Sequence, residues 1–174
     1  FGPHIVNQHA NDVGSKYSKP NMVPRLKARG IPTAAFLPAQ LPRLPKYANM
    51  RNHRKILVVD GDHGFTGGTN IREGHCLKLD PEYPVQCLHF ALRGPVVRQL
   101  TRVFAIDWAF VTGEELSGPG WFPEIERVGS VWARGIEHGP DEQFERLTDL
   151  IAAALASAQR QIRIVTPYFL PTPA

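Results

Sequence analysis

The chain has 174 residues, 43% of them hydrophobic and 21% charged, with a formal net charge of +4, which is enough for one substantial core and the edge of a second. No stretch approaches the roughly 18 consecutive apolar residues of a membrane-spanning helix. The two cysteines, Cys76 and Cys87, stand at no metal-ligand spacing, and a reducing compartment is the default. Charge is uneven: residues 1–55 hold ten Lys or Arg against Asp12 alone, a balance of +9, while the remainder carries −5. A positive field of that kind concentrates anionic substrates, lipid headgroups or nucleic acid alike, although Arg25, Lys27 and Arg29 fit better as the solvated face of a helix.

Taken in chain order, residues 19–29 read as a helix stopped by Gly30, followed by a strand over 33–37 that Pro38 ends. Residues 38–45 form a Pro-rich loop. Residues 56–59 are a short β-branched apolar run closed by the turn signal Asp60-Gly61, hence a buried strand, and Phe65-Thr66 reads as a second one. A short helix after Asn70, a loop over 78–84 and a strand over 85–92 come next. Gly94-Pro95 opens a helix to about residue 111, whose Val96, Val97, Leu100, Val103, Phe104 and Trp108 recur at helical spacing and make a core stripe, not a cofactor site. Residues 113–123 read as a loop and a boundary between half-domains. A strand over 128–133, a helix capped by Asp141 and running to 158, and a strand over 162–166 complete the chain. This alternation implies an α/β layered fold.

The richest segment is His53-Arg54-Lys55, then four residues, Asp60, six residues, and Gly67-Gly68-Thr69-Asn70. Alternate side chains of a strand share a face, so His53 and Lys55 project from the same side of the strand's start. The pair of glycines lets backbone come close to a ligand, and Asn70 adds an amide donor. A nucleophile or proton carrier, a fixed cation and neutral donors around one anion suit phosphoryl transfer, where positioning and charge stabilisation carry most of the catalysis. An imidazole can also attack phosphorus and split one displacement into two. Singly, each of these residues has an ordinary explanation as a surface or turn residue; five in one register do not. The segment has no paired carboxylates or histidine cluster, which disfavours metal-dependent hydrolysis.

The run NHRKILVVDGDHGFTGGTN resembles the HKD signature of the phospholipase D superfamily, and its flanks resemble the bacterial cardiolipin synthase branch. These flanks are Asp12 to Ser15, Asn70-Ile71-Arg72-Glu73, His89-Phe90, Gly94-Pro95-Val96-Val97, Asp107-Trp108-Ala109-Phe110 and Thr166-Pro167-Tyr168-Phe169-Leu170-Pro171. The resemblance implies a phospholipase D-like half-domain, a mixed β-sheet flanked by helices. It implies His53 as the nucleophile or the acid for the leaving group, Lys55 and Asn70 as grips on phosphate oxygens, and Asp60 as a motif residue that supports local structure more than it touches substrate. Gly68 stands where many relatives have serine. No cofactor or metal is implied.

Two departures from the family pattern matter. Relatives carry an acidic residue in the strand after the motif, where a carboxylate would hold the imidazole in its working tautomer; here that register falls on Cys87, a neutral thiol and a poor acceptor, or else Glu73 takes the role. The family's site is also built from two such motifs, and this chain has one. Residues 1–127 therefore read as a first half-domain and 128–174 as the opening of a second, so that the sequence reads as a piece of a longer protein. The second half would come in cis or from a homodimer partner. The expected activity is that of a phospholipase D-type phosphodiesterase or phosphatidyltransferase acting on phospholipid headgroups, with the membrane surface as partner. A nuclease completed by dimerisation and a non-catalytic phosphate- or lipid-binding domain are the alternatives. The resemblance places the protein in bacteria, on the cytoplasmic side of the membrane or in the cytoplasm.

Overall fold

The structure, a computed structural model, describes residues 22–34, 53–137 and 145–164, and the chain divides into two compact units, 1–135 and 136–174. In the first unit, helix α1 spans Met22–Ala28. It is ended by Gly30, which takes a positive φ of 70° and donates its N–H to the Lys27 carbonyl at 2.9 Å. Arg25 and Lys27 are exposed at its C-terminal end, where cations complement the helix dipole. They form the solvated face expected of them.

Three strands follow: β1 Ile56–Val59, β2 His63–Gly67 and β3 His89–Arg93. They form one sheet in the order β1-β2-β3, and both pairings are antiparallel. The β1–β2 hairpin turns on Asp60 and Gly61, both at positive φ (53° and 75°), with the Asp62 N–H bonded to the Val59 carbonyl at 3.3 Å. Two consecutive positive φ values match the twist of the flanking strands, which is why Asp-Gly is so strong a hairpin signal. Gly61 is doubly constrained, because a Cβ there would lie 2.5 Å from Pro123 Cδ.

Helix α2, Val96–Thr112, crosses one face of the sheet. Ile56, Val58, Val97 and Leu100 are buried between them, with Leu92, Val96, Val103 and Ile125 packed against that cluster. Each of the four contributes on the order of 2 kcal/mol by leaving water. Phe104 and Trp108, further along the same stripe, pack ring to ring, and Phe104 also meets Trp121. The segment after α2 runs back beside it: Ile125 joins the core and the Gly135 N–H reaches the Gln99 Oε1 at 2.5 Å. In the second unit, helix α3 spans Glu145–Ser157, with Leu150, Ile151 and Leu155 exposed. Among the described residues no helix is long and apolar enough to cross a membrane.

An α/β half-domain is thus what the chain forms. Within it, several elements differ from expectation. The described sheet is antiparallel throughout instead of mixed. Residues 85–88 are not strand: β2 ends at Gly67, paired with His89, beyond which the ladder gives way to the single bond from the Gly68 N–H to the Leu88 carbonyl, and the Val85 N–H bonds instead to the Gly74 carbonyl at 2.7 Å. The helix expected after Asn70 is two 3₁₀ turns, Glu73–His75 and Leu77–Leu79, the second ended by Asp80 in the left-handed region. Residues 128–133 are irregular, with Val131 and Trp132 about nine-tenths exposed (89% and 91%); apolar character alone makes no strand without a neighbour to pair with. Residues 31–34 and 161–164 are irregular too, while 19–21, 35–37, Asp141 and 165–166 lie outside the described residues.

Candidate functional site

The antiparallel register decides which parts of the motif meet. Because Ile56 pairs with Thr66 and Gly67 with His89, the start of β1, the end of β2 and the start of β3 lie at one end of the sheet. Residues 53–55, 67–70 and 87–89 are thereby gathered there. Asp60 is in the hairpin turn at the opposite end, about 16 Å from Lys55 at the ordinary strand rise. Its place in the turn sets it apart from Lys55 and the segments gathered at the other end.

At the gathered end, Arg54 forms a half-buried ion pair with Asp107 of α2, 2.7 Å between Nη1 and Oδ1. Arg54, Ile56 and Val58 share a parity, and that parity faces α2. Extended backbone alternates, so His53 and Lys55 project to the opposite face. His53 is exposed. The Lys55 ammonium folds back to donate to the His53 backbone carbonyl at 2.6 Å. Partial burial holds that ammonium below the ordinary lysine value, with Cys87 nearby acting in the other direction.

At Gly67 the neighbouring backbone leaves no room for a side chain: its φ is +154°, and a Cβ would lie 2.4 Å from the Leu88 carbonyl oxygen and 2.7 Å from the His89 Cα. The expected close approach is therefore to a neighbouring strand. Gly68 is exposed, its N–H bonded to the Leu88 carbonyl at 2.9 Å, and a Cβ there would meet Cys87 only at the ordinary distance of 3.4 Å. Serine fits that space. Asn70 is partly buried just beyond, and its carbonyl accepts from the Arg72 N–H at 3.0 Å. Cys87, an exposed free thiol, sits against Gly68 and within electrostatic reach of Lys55. Glu73 is exposed at the start of the first 3₁₀ turn.

Two features of this end were not foreseen from the sequence. Asp107 fixes the residue between His53 and Lys55; the alternation of Arg54 with the apolar positions of β1 is the signal that could have revealed it. Burial, and after it the charges of Arg72 and Lys55, hold the His75 ring below the ordinary histidine value. Nothing in the local pattern marks His75, because the backbone bond from Val85 to Gly74 that fixes its turn is tertiary.

Curated relatives align over nine-tenths of the chain. It is 37% identical over 161 residues to the cardiolipin synthase of Geobacillus thermodenitrificans, covering 91% of this chain and 32% of that protein. It is 35% identical over 161 residues to cardiolipin synthase 2 of Bacillus cereus, with 91% and 31% covered. Against cardiolipin synthase 2 of Staphylococcus epidermidis it is 30% identical over 166 residues, with 94% and 34% covered. No family model and no solved structure matches. The α/β half-domain and these relatives define the class: the chain belongs to the phospholipase D superfamily. It spans about a third of the length of the cardiolipin synthases it matches.

Proposed function

We propose that the chain carries one phosphate-binding half of a phospholipase D-type phosphatidyltransferase of the cardiolipin synthase kind. The observation that carries this reading is the sheet register, which brings the 53–55, 67–70 and 87–89 segments to one end, in a chain related to cardiolipin synthases over nine-tenths of its length. In the proposed cycle the His53 imidazole attacks phosphorus and the bond to the leaving alkoxide breaks, with a proton supplied by the histidine of a second half. An acceptor alcohol, giving its proton to that second histidine, then attacks the phosphohistidine, breaks the P–N bond and frees His53. Lys55 balances the charge that develops on the phosphate oxygens, and Asn70 and the Gly68 backbone offer neutral donors. The second half comes in cis or from another copy of the chain.

Residues 128–174 would then open that second half, and the site would face a phospholipid headgroup at a membrane surface, on the cytoplasmic side. Either Glu73 or Cys87 would orient the His53 ring; replacing each, as Glu73→Gln and Cys87→Ser, should shift the pH profile of turnover only at the one that does so. The decisive comparison uses the complete protein, assayed on labelled phosphatidylglycerol beside single-stranded DNA, each with and without EDTA. Turnover of the lipid unaffected by EDTA is expected. Cleavage of DNA alone would move the chain to the superfamily's nucleases, and strict dependence on a divalent ion would remove the phosphohistidine route.

A further inference from the structure

The turn after Asn70 is held by a set of backbone hydrogen bonds. The His75 N–H bonds to the Arg72 carbonyl at 3.1 Å and the Cys76 N–H to the Glu73 carbonyl at 2.7 Å. The Val85 N–H to Gly74 carbonyl bond then ties this turn to the segment carrying Cys87, which the Gly68 N–H to Leu88 carbonyl bond ties back to the end of β2. The Arg72 guanidinium lies across Gly74, 3.3 Å from where a Cβ would be. These bonds tie the His75 turn to the segment that reaches the end of the sheet already described, within electrostatic reach of Lys55.

The ring itself is unusual. Its Nδ1 is enclosed and has no hydrogen-bond partner. Buried polar atoms in folded proteins are nearly always satisfied, and an exception asks for an explanation. An enclosed N–H without an acceptor is costlier than an enclosed lone pair, so the proton belongs on Nε2. The residue is only part-buried, which leaves Nε2 as the nitrogen able to meet a ligand. Charging the ring would place a proton on the enclosed Nδ1, within reach of the charges of Arg72 and Lys55. Burial, Arg72 and Lys55 all oppose that. The neutral imidazole is thus favoured, with Nε2 left as its outward donor and the charges of Arg72 and Lys55 within electrostatic reach.

We propose that His75 is a substrate-contacting residue of this site: as a neutral Nε2–H donor it binds an anionic phosphate oxygen next to the one held by Lys55, with Arg72 adding long-range charge. The inference deepens the reading of the site as a phosphate pocket and rests on it. A neutral donor suits the position because it holds oxygen without competing with the transferred proton, whereas a third full cation would repel Lys55.

The test is binding of inorganic phosphate to the complete protein by calorimetry, with ¹⁵N-histidine spectra recorded alongside. His75→Gln places an amide donor near the Nε2 position and should keep affinity within about threefold, while His75→Leu should lose about tenfold, the worth of one hydrogen bond to a charged group. The His75 signal should report the Nε2–H tautomer and shift on saturation. Wild-type affinity retained in His75→Leu, or a His75 signal unmoved by saturating phosphate, overturns the assignment while leaving the pocket standing if Lys55→Met abolishes binding. Failure of the wild-type protein to bind phosphate overturns the pocket reading and this inference with it. Should His75→Leu fail to fold, the tautomer and shift in the wild-type spectra decide.

Discussion

Adjacent glycines at the end of β2 provide a sharp test of how the site is built, because the structure gives them opposite tolerances. At Gly67 a methyl group would lie 2.4 Å from the Leu88 carbonyl oxygen, 2.7 Å from the His89 Cα and 2.9 Å from the His89 Nδ1. Two of these are backbone atoms, one at the start of β3 and one just before it, and cannot swing aside. Gly67→Ala must therefore push β3 away from β2, straining the last pair of the ladder and the Gly68 to Leu88 bond. Overpacking costs about 1–3 kcal/mol and a weakened backbone bond about 1 kcal/mol. The sum, about 2–4 kcal/mol, corresponds to a fall in Tm of about 5–15 °C for a chain of this size. At Gly68 the nearest atoms, the Cys87 Cβ and Sγ, stand at 3.4 Å and the position is exposed, so Gly68→Ser should stay within about 0.5 kcal/mol of wild type. Thermal unfolding followed by circular dichroism measures both. Equal losses in the two variants, or a harmless Gly67→Ala, would refute the claim that close strand approach, and not ligand access, demands glycine at 67.

Other expectations follow from the same geometry. His53→Asn should reduce turnover of the complete protein by about 10³-fold or more while leaving Tm unchanged, since His53 is exposed and the loss is chemical; a rate near wild type would place the nucleophile elsewhere. Arg54→Ala should cost about 1–2 kcal/mol in denaturant unfolding, because it strips a half-buried charged hydrogen bond from Asp107, and a cycle with Asp107→Ala should show the two losses to be non-additive. Stability should also depend on pH through His75. Burial, Arg72 and Lys55 lower its affinity for a proton in the folded state only, so its contribution is fully present above the ordinary value of 6.5 and is lost as pH falls from there through the lower folded value. The wild-type Tm should accordingly fall more steeply than that of His75→Gln on acidification below 6.5, and parallel curves would contradict it.

How much of this was legible beforehand differs by element. Strand β1 fell at 56–59 as read, since a β-branched run closed by Asp60-Gly61 is a local signal and the turn needs nothing but two positive φ values. Helix α2 was nearly as clear: its apolar stripe has helical period and Gly94-Pro95 marks its start, with Val97 and Leu100 buried as that stripe required. The strands read over 85–92 and 128–133 failed, wholly or in part, for one physical reason. A strand exists only where a neighbour offers backbone partners, and β2 runs out at Gly67 while residues 128–133 meet no strand among the described residues.

The candidate site divides along the same line. Residue identities and spacing were enough to single out His53, Lys55, Gly68 and Asn70 as candidates, because chemistry that holds an anion uses such groups, while the resemblance to the phospholipase D superfamily ranked Asp60 below His53 and Lys55. The amino-acid order also set the parity that sends Arg54 to one face and its two neighbours to the other. What needed the folded chain was every relation between segments distant in sequence: the ion pair from Arg54 to Asp107, the approach of Cys87 to Gly68, and the enclosure of His75 near Lys55. Local pattern determines periodicity, turns and the stock of functional groups, since these depend on neighbours along the chain. Register and helix packing determine who meets whom, because hydrogen-bond ladders and buried surface are shared between segments that no linear pattern joins.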